Sequence, residues 1–170
     1  MWKYGNPVEI SFGVGAFDQV AKLINAGSDS QIYYVSLNGF DTHANQKNTQ
    51  QRLFKSYAAG IEALRQDLKK TDNWEDTLVM TFSEFGRRVA QNGSLGTDHG
   101  TFAPMFLFGK HVEPGVLGNN SNLSNLTNND LSVLDHDYRR VFITALQDWI
   151  GADNQAISLT NMGGFINQKL

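Results

Sequence analysis

The sequence has no cysteine, and this absence limits its chemistry. Without a thiol the chain has no disulfide, no thiolate metal ligand and no cysteine nucleophile. A metal ion bound here must take its ligands from histidine, carboxylate, asparagine or hydroxyl groups. Any metal site in this protein is therefore an oxygen and imidazole site.

Charge and long apolar runs are also scarce. Charged residues make up 18% of the chain and the net charge is −3, which gives no basic surface for attracting a polyanion. The longest apolar runs, 78–82 and 105–108, are far shorter than the roughly 20 residues of a membrane-spanning helix. Nucleic acid is thus excluded as a partner, and no membrane segment is expected.

The length of the chain and its hydrophobic content fit one folded domain. The chain has 170 residues, of which 41% are hydrophobic, enough for a single core and too few residues for two ordinary domains. We therefore expect a single domain over residues 1–170. The first seven residues show no basic region followed by an apolar run, so they predict no export signal.

Apolar residues at helical spacing predict three helices, over 15–26, about 47–70 and 137–150. The second is the clearest, because one apolar stripe runs along it. The stripe consists of Leu53, Tyr57, Ile61, Leu64 and Leu68. Glycines at positions 27 and 151 suit the ends of the first and third helices.

Runs rich in β-branched and aromatic residues predict buried strands over 31–37, 77–82 and 103–108. A strand, a long helix and a second strand in this order predict a parallel pair joined by a right-handed crossover. The expected fold class is α/β, a mainly parallel sheet flanked by helices. The Asn-rich and Ser-rich stretch 118–130 is predicted to be an exposed loop.

Polar groups cluster just after, or just before, the predicted strands, where ligands of open α/β sheets collect. The candidate metal ligands there are Asp41, His43, Glu84, Asp98 and His99. Carboxylates and imidazoles on separate loops are the donors of Zn²⁺, Mn²⁺ or Fe sites that lack thiolates. Asp41 and His43 are two residues apart, so in an extended segment both side chains point the same way. Next to Glu84, Arg87 and Arg88 are candidates for binding a phosphate or sulfate anion.

Structural roles remain alternatives for the same residues. Asp41 also suits a turn or helix cap, and Glu84 suits an ion pair with a neighbouring arginine. Each histidine is also compatible with a hydrogen-bonded structural role. His111, at a predicted turn, and His136, at the entrance of the last helix, lack the strand-end placement and serve as comparisons.

Four ordered motifs resemble the C-terminal part of the bacterial domain-of-unknown-function 1501 family, over about residues 30–151. They are Gly39-Phe40-Asp41-Thr42-His43, Phe82-Ser83-Glu84-Phe85-Gly86-Arg87, Thr97-Asp98-His99-Gly100, and Asp137-Tyr138-Arg139-Arg140 with Asp148-Trp149. That family is grouped with sulfatase-like proteins of the alkaline phosphatase superfamily. The resemblance implies an alkaline-phosphatase-like core that is incomplete at its N-terminus, and a periplasmic or extracellular location.

The resemblance also implies residue roles. Glu84 stands where a carboxylate of one metal site belongs, and Asp41, His43 and His99 match the ligands of another. Phe85 stands where the superfamily has a histidine ligand, which argues against a full two-metal centre. No residue before position 30 matches the superfamily nucleophile, so the catalytic nucleophile is not assigned. Without cysteine, the formylglycine nucleophile of sulfatases is excluded.

Two functions follow from these residues. The first is a metal-dependent hydrolase of small-molecule or glycan phosphate or sulfate esters, with Arg87 or Arg88 holding the anion. In this short form the hydrolase is expected to have little or no activity. The alternative is a non-catalytic binding or interaction module on the same scaffold, with at most one structural ion.

Overall fold

The computed structural model describes five stretches of the chain: residues 6–11, 15–119, 121–132, 136–160 and 163–165. Across these stretches no helix combines the length and the apolar character needed to span a bilayer.

The chain starts with a strand, helix and strand unit. Strands β1 (Val8–Ser11) and β2 (Tyr33–Ser36) form a parallel pair, and helix α1 (Ala16–Asn25) lies in the connection between them. A crossover of this kind is what parallel strands require. Gly15 precedes α1 with a φ of 93°, a left-handed conformation that glycine adopts without strain. The prediction of a helix over 15–26 is confirmed.

Helix α2 (Gln46–Lys69) is the longest element described, and it confirms the helix predicted over 47–70. Its buried residues are Ile61, Leu64 and Leu68, all members of the apolar stripe. Because these residues lie three and four positions apart, they share one face of the helix. That face is buried, whereas the rest of α2 is largely polar.

The main core lies between α1 and α2. Its buried members are Val20, Ala21, Leu64, Leu68 and Trp74. A Cβ atom placed on Gly60 would overlap the ring of Phe17, so the missing side chain lets the two helices approach closely. Side chains of β1, β2 and the later strands pack around this cluster. The core thus holds the first half of the chain together.

Four two-residue strands follow α2: β3 (Val79–Met80), β4 (Gly86–Arg87), β5 (His99–Gly100) and β6 (Leu107–Phe108). β3 pairs with β6 and β4 pairs with β5, both antiparallel. The segment that connects β3 to β6 therefore reverses direction, and it contains the β4–β5 pair.

Strands β7 (Leu126–Thr127) and β8 (Asp130–Leu131) form an antiparallel hairpin. The two residues between them, Asn128 and Asn129, have φ values of 51° and 61°, as a two-residue type I′ turn requires. The predicted loop over 118–130 is therefore wrong for its last residues. The asparagines at the turn form a hairpin because asparagine tolerates positive φ.

Helix α3 (Tyr138–Thr144) continues into a π-helical turn, Ala145–Trp149. Together they confirm the helix predicted over 137–150. Asp137 caps α3, since its side chain accepts a hydrogen bond from the Arg139 backbone N–H at 2.9 Å. The short helix α4 (Asn154–Ser158) and a 3₁₀ turn over Gly163–Phe165 follow.

The predicted α/β fold with a mainly parallel sheet and an alkaline-phosphatase-like core is wrong. The described strands form four separate two-stranded sheets, one parallel and three antiparallel. The predicted crossover from 31–37 to 77–82 fails because β2 pairs with β1, while β3 pairs with β6. The apolar runs over 31–37, 77–82 and 103–108 contain short strands whose residues are at most half-buried, so the predicted burial of these strands is also wrong. Apolar runs carry no information on which strand becomes the partner.

Candidate metal centre

Three donor side chains meet at one place on the surface. Asp41 and His43 lie between β2 and α2, and His99 is the first residue of β5. Between the first two, Thr42 is buried at 5% exposure and its hydroxyl donates to the Phe40 carbonyl at 3.3 Å. Because Thr42 points inward, its two neighbours project together toward solvent. This alternation brings their side chains to His99.

The donor atoms form a small triangle. The Oδ1 atom of Asp41 lies 2.7 Å from His99 Nε2 and 3.1 Å from His43 Nε2, and the two Nε2 atoms are 3.2 Å apart. Ligands at about 2.1 Å from one ion are about 3.0 Å apart in octahedral and about 3.4 Å apart in tetrahedral coordination. The triangle therefore has nearly the size of one face of a metal coordination sphere.

The triad is open to solvent. The side chains of Asp41, His43 and His99 are 62%, 50% and 46% exposed. A catalytic metal site keeps at least one position free for water or substrate, whereas a structural site is closed by protein ligands. Three ligands on an exposed surface fit the open type.

Backbone contacts fix the position of His43. The Asn92 side-chain amide donates to the His43 carbonyl at 3.0 Å, and Ala44 forms a β-bridge with Leu95. A Cβ atom on Gly96 would overlap the His43 carbonyl. Since only glycine permits this approach, the loop before β5 and the segment before α2 form one packed unit.

An aromatic ring supports His99. The ring of Phe85 stacks on the His99 imidazole with centroids 3.7 Å apart and planes 9° apart. Phe85 thus covers one face of the imidazole and restricts its rotation. The residue that lacks a metal-binding side chain in this motif therefore supports one of the three converging donors.

Arg87 joins the two halves of the site. Its Nη1 donates to the Thr97 carbonyl at 2.6 Å, and its Nη2 donates to the Phe40 carbonyl. The same Nη2 lies 3.7 Å from Asp41 Oδ1, and the guanidinium carbon lies 4.9 Å from the Phe85 ring centroid. Arg87 therefore holds both loops and brings positive charge next to the triad.

The protonation of Asp41 suits metal binding. The hydrogen bond with His99 lowers the pKa of Asp41 below its usual value, and the positive charge of Arg87 acts in the same direction. Asp41 is therefore ionised at neutral pH. A metal site requires this, because a carboxylate binds a cation in its deprotonated form.

Two other predicted ligands lie outside the triangle. The Asp98 carboxylate lies 3.7 Å from His43 Nδ1, the ring nitrogen that faces away from Asp41. Glu84 is exposed and is not among the converging donors of the described residues. The structure thus places Asp98 beside a triad histidine and leaves Glu84 on the surface.

Arg88 lies apart from Arg87. It follows the end of β4 and lines a separate groove of about 390 Å³ together with Thr101 and Asp130. Of the two predicted anion-binding arginines, the structure places only Arg87 beside the triad.

The comparison histidines have other surroundings. His111 Nε2 lies 3.9 Å from Glu75 and its ring lies 6.3 Å from the Trp149 ring. The Nδ1 atom of His136 is buried and has no hydrogen-bond partner in the part of the chain that the structure describes. Neither residue joins the triad.

Sequence reasoning missed Asn92. Its side-chain oxygen accepts hydrogen bonds from the backbone N–H groups of Ser94 and Gly96, at 2.9 and 3.0 Å, while its amide holds His43. The signal was the Asn92-Gly93 pair, a frequent turn former. That pair predicts a turn but gives no sign of its contact with a residue 49 positions away.

Comparison with known proteins places this surface within a matched region. A family model described as "Protein of unknown function (DUF1501)" matches residues 20–160. No curated protein and no solved structure matches the chain. The matched region contains the whole triad together with Phe85, Arg87 and Asn92.

Proposed function

The chain belongs to the DUF1501 family of proteins of unknown function, and we propose that it is a metal-dependent hydrolase of phosphate or sulfate esters. The observation that carries this proposal is the convergence of one carboxylate oxygen and two imidazole nitrogens within 3.2 Å of one another. Such a donor set suits Zn²⁺, Mn²⁺ or Fe²⁺. Asp41, His43 and His99 are the proposed ligands.

The surroundings of the triad support an anionic substrate. When bound, a divalent ion supplies electrostatic stabilisation to an ester oxygen. The Arg87 guanidinium lies next to Asp41 and adds fixed positive charge beside that position. We assign the substrate anion to Arg87 and the open face of the triad, and the motif resemblance favours small-molecule or glycan phosphate or sulfate esters.

Metal analysis tests the site directly. After treatment with a chelator, addition of Zn²⁺, Mn²⁺ or Fe²⁺ and dialysis, we expect about one bound equivalent in the natural chain. The His99→Ala variant should retain less than about a tenth of an equivalent, and the His111→Ala variant should match the natural chain. Equal metal content in the two variants would contradict the assignment of the triad.

Turnover tests the reaction. Aryl phosphates and aryl sulfates are assayed with each metal added, and the proposal predicts slow, metal-dependent release of the phenol from at least one class, since little activity is expected of this short form. His99→Ala should abolish this activity and His111→Ala should preserve it. Stoichiometric metal binding with no turnover of either ester would reject the hydrolase and keep the metal site.

One observation favours a second function, a binding module with a single structural ion. Phe85 stacks on His99 at a place where a further ligand would be needed for a second metal, and Glu84 is not among the converging donors of the described residues. A two-metal mechanism needs ligands for both ions. Metal that binds at one equivalent and raises stability without any turnover supports this second function.

A further inference from the structure

We propose that Asn38 is a site of spontaneous deamidation, whereas the fold protects Asn92 from the same reaction. Each of these asparagines is followed by a glycine, and the sequence contains the pair Asn-Gly at these two places. The reacting groups are the same in both pairs, but the structure gives them different surroundings. This inference does not depend on the proposed metal site.

The reaction needs a mobile asparagine side chain and a free backbone nitrogen. The glycine nitrogen loses its proton and attacks Cγ of the asparagine, and the bond from Cγ to the amide nitrogen breaks. The amide nitrogen takes up a proton and leaves as ammonia. Water then opens the cyclic imide at either carbonyl, which gives an aspartyl or an isoaspartyl residue. Glycine favours the attack because it has no Cβ atom to hinder it.

Asn38 meets both conditions. The residue is exposed, and the Ser36 hydroxyl donates to its Oδ1 atom at 3.5 Å, well beyond the distance of about 2.7 Å that is usual between two oxygens. The backbone N–H of Gly39 donates a hydrogen bond to no residue that the structure describes. Neither the side-chain amide nor the attacking nitrogen is therefore held in place.

Asn92 is half-buried and both ends of its amide are engaged. The amide nitrogen donates to the His43 carbonyl at 3.0 Å, and the oxygen accepts from the backbone N–H groups of Ser94 and Gly96 at 2.9 and 3.0 Å. The imide forms only after the side chain turns toward the Gly93 nitrogen, which disrupts these contacts. Three hydrogen bonds together should slow the reaction by at least about tenfold.

The modified residue precedes the candidate metal centre by a short segment, since Asn38 lies three positions before Asp41. Deamidation adds one negative charge to a chain whose net charge is −3, and the isoaspartyl product lengthens the main chain by one methylene. Arg87 binds the Phe40 carbonyl within this segment. The change therefore falls on the part of the chain that leads to the first donor of the triad.

Tandem mass spectrometry of the aged chain tests the proposal. The folded chain is incubated at mildly alkaline pH, and trypsin then releases Asn38 and Asn92 on separate peptides, 23–47 and 89–110. We expect Asn38 to deamidate at least about tenfold faster than Asn92 and to give both aspartyl and isoaspartyl peptides. Equal rates, or a faster reaction at Asn92, would overturn the proposal.

The same incubation in guanidinium chloride separates the fold from the local sequence. Unfolding breaks the hydrogen bonds of Asn92, so we expect its rate to rise toward that of Asn38. A difference that persists in the denatured chain would assign it to the flanking residues and overturn the protective role of the fold.

Asn38→Gln is the matched variant, because glutamine closes its larger imide ring far more slowly. Isoelectric focusing of the folded natural chain should show an acidic form that grows with age, and the aged variant should lack it. An acidic form that grows equally in the variant would place the reaction at another amide and overturn the assignment of Asn38.

Discussion

Arg87 shows how one side chain connects the loops of the site. Its guanidinium donates to the carbonyls of Thr97 and Phe40, and it lies close to Asp41. Arginine presents five donors in a rigid plane, whereas lysine presents one compact ammonium. The two carbonyls belong to different segments, so both contacts depend on the planar group.

Arg87→Lys should therefore destabilise the protein. We expect the free energy of unfolding to fall by about 1–3 kcal/mol, because a side chain only 17% exposed loses charged hydrogen bonds. Urea denaturation followed by tryptophan fluorescence measures this, since Trp74 is buried at 5% exposure. Arg88→Lys, on an exposed side chain, should change the value by less than about 0.5 kcal/mol. Equal effects of the two substitutions would contradict a connecting role for Arg87.

The sequence predicted the residues of the triad but not its supports. Asp41 and His43 share a side because they lie two positions apart, and this alternation needs no knowledge of the fold. His99 lies just before a predicted strand, and this placement predicted that its side chain would meet those of Asp41 and His43. Phe85 and Asn92 became supports through contacts between distant segments, and nothing in their local sequence specifies those partners.

At the scale of elements, the helices were predictable and the strand pairing was not. The stripe along α2 specifies a helix through local spacing, so its prediction matched within one residue at each end. Strand pairing depends on residues that are distant in the sequence. β3 pairs with β6, whereas the sequence predicted that it would pair with β2. The N-cap of α3 is also local, because Asp137 accepts a hydrogen bond from a backbone N–H only two residues away. Its effect on stability can therefore be estimated from that contact.

Asp137→Ala should destabilise the protein by about 1 kcal/mol at neutral pH, the usual effect of losing an N-cap. The hydrogen bonds with Arg139 lower the pKa of Asp137 below 3.8. A carboxyl with a lowered folded pKa stabilises the protein above its unfolded value, about pH 4, and this part is lost as the pH falls through the folded pKa. The difference between the natural chain and the variant should therefore shrink below about pH 4.

Asparagine at the same position provides the control for this cap. It accepts the Arg139 N–H as well as aspartate does but carries no charge. Asp137→Asn should thus lie between the natural chain and Asp137→Ala at pH 7, because it keeps the cap and loses the charged contact with the Arg139 guanidinium, and it should lack the loss that comes from protonation of Asp137. Unfolding measured between pH 2 and pH 7 tests this, and an acid dependence equal to that of the natural chain would assign it to other carboxyls.

At the scale of the whole molecule, the core and the site consist of different residues. The cluster around Leu68 and Trp74 holds α1 against α2, whereas the triad lies on loops joined by Asn92, Gly96 and Arg87. Substitutions at sites with no shared partners usually have additive effects on stability. Metal binding and core packing should therefore contribute to the free energy of unfolding independently.

Zinc titrations of stability test this independence. At a free Zn²⁺ concentration of 100 Kd, binding to the folded state alone should add about 2.7 kcal/mol to the free energy of unfolding. Leu68→Ala removes a fully buried side chain and should lower the metal-free value by about 2–5 kcal/mol while keeping the zinc increment. His99→Ala should keep most of the metal-free stability and lose the increment. A zinc increment that persists in His99→Ala would place the stabilising ion elsewhere, and one that vanishes in Leu68→Ala would show that the order of the triad depends on the core.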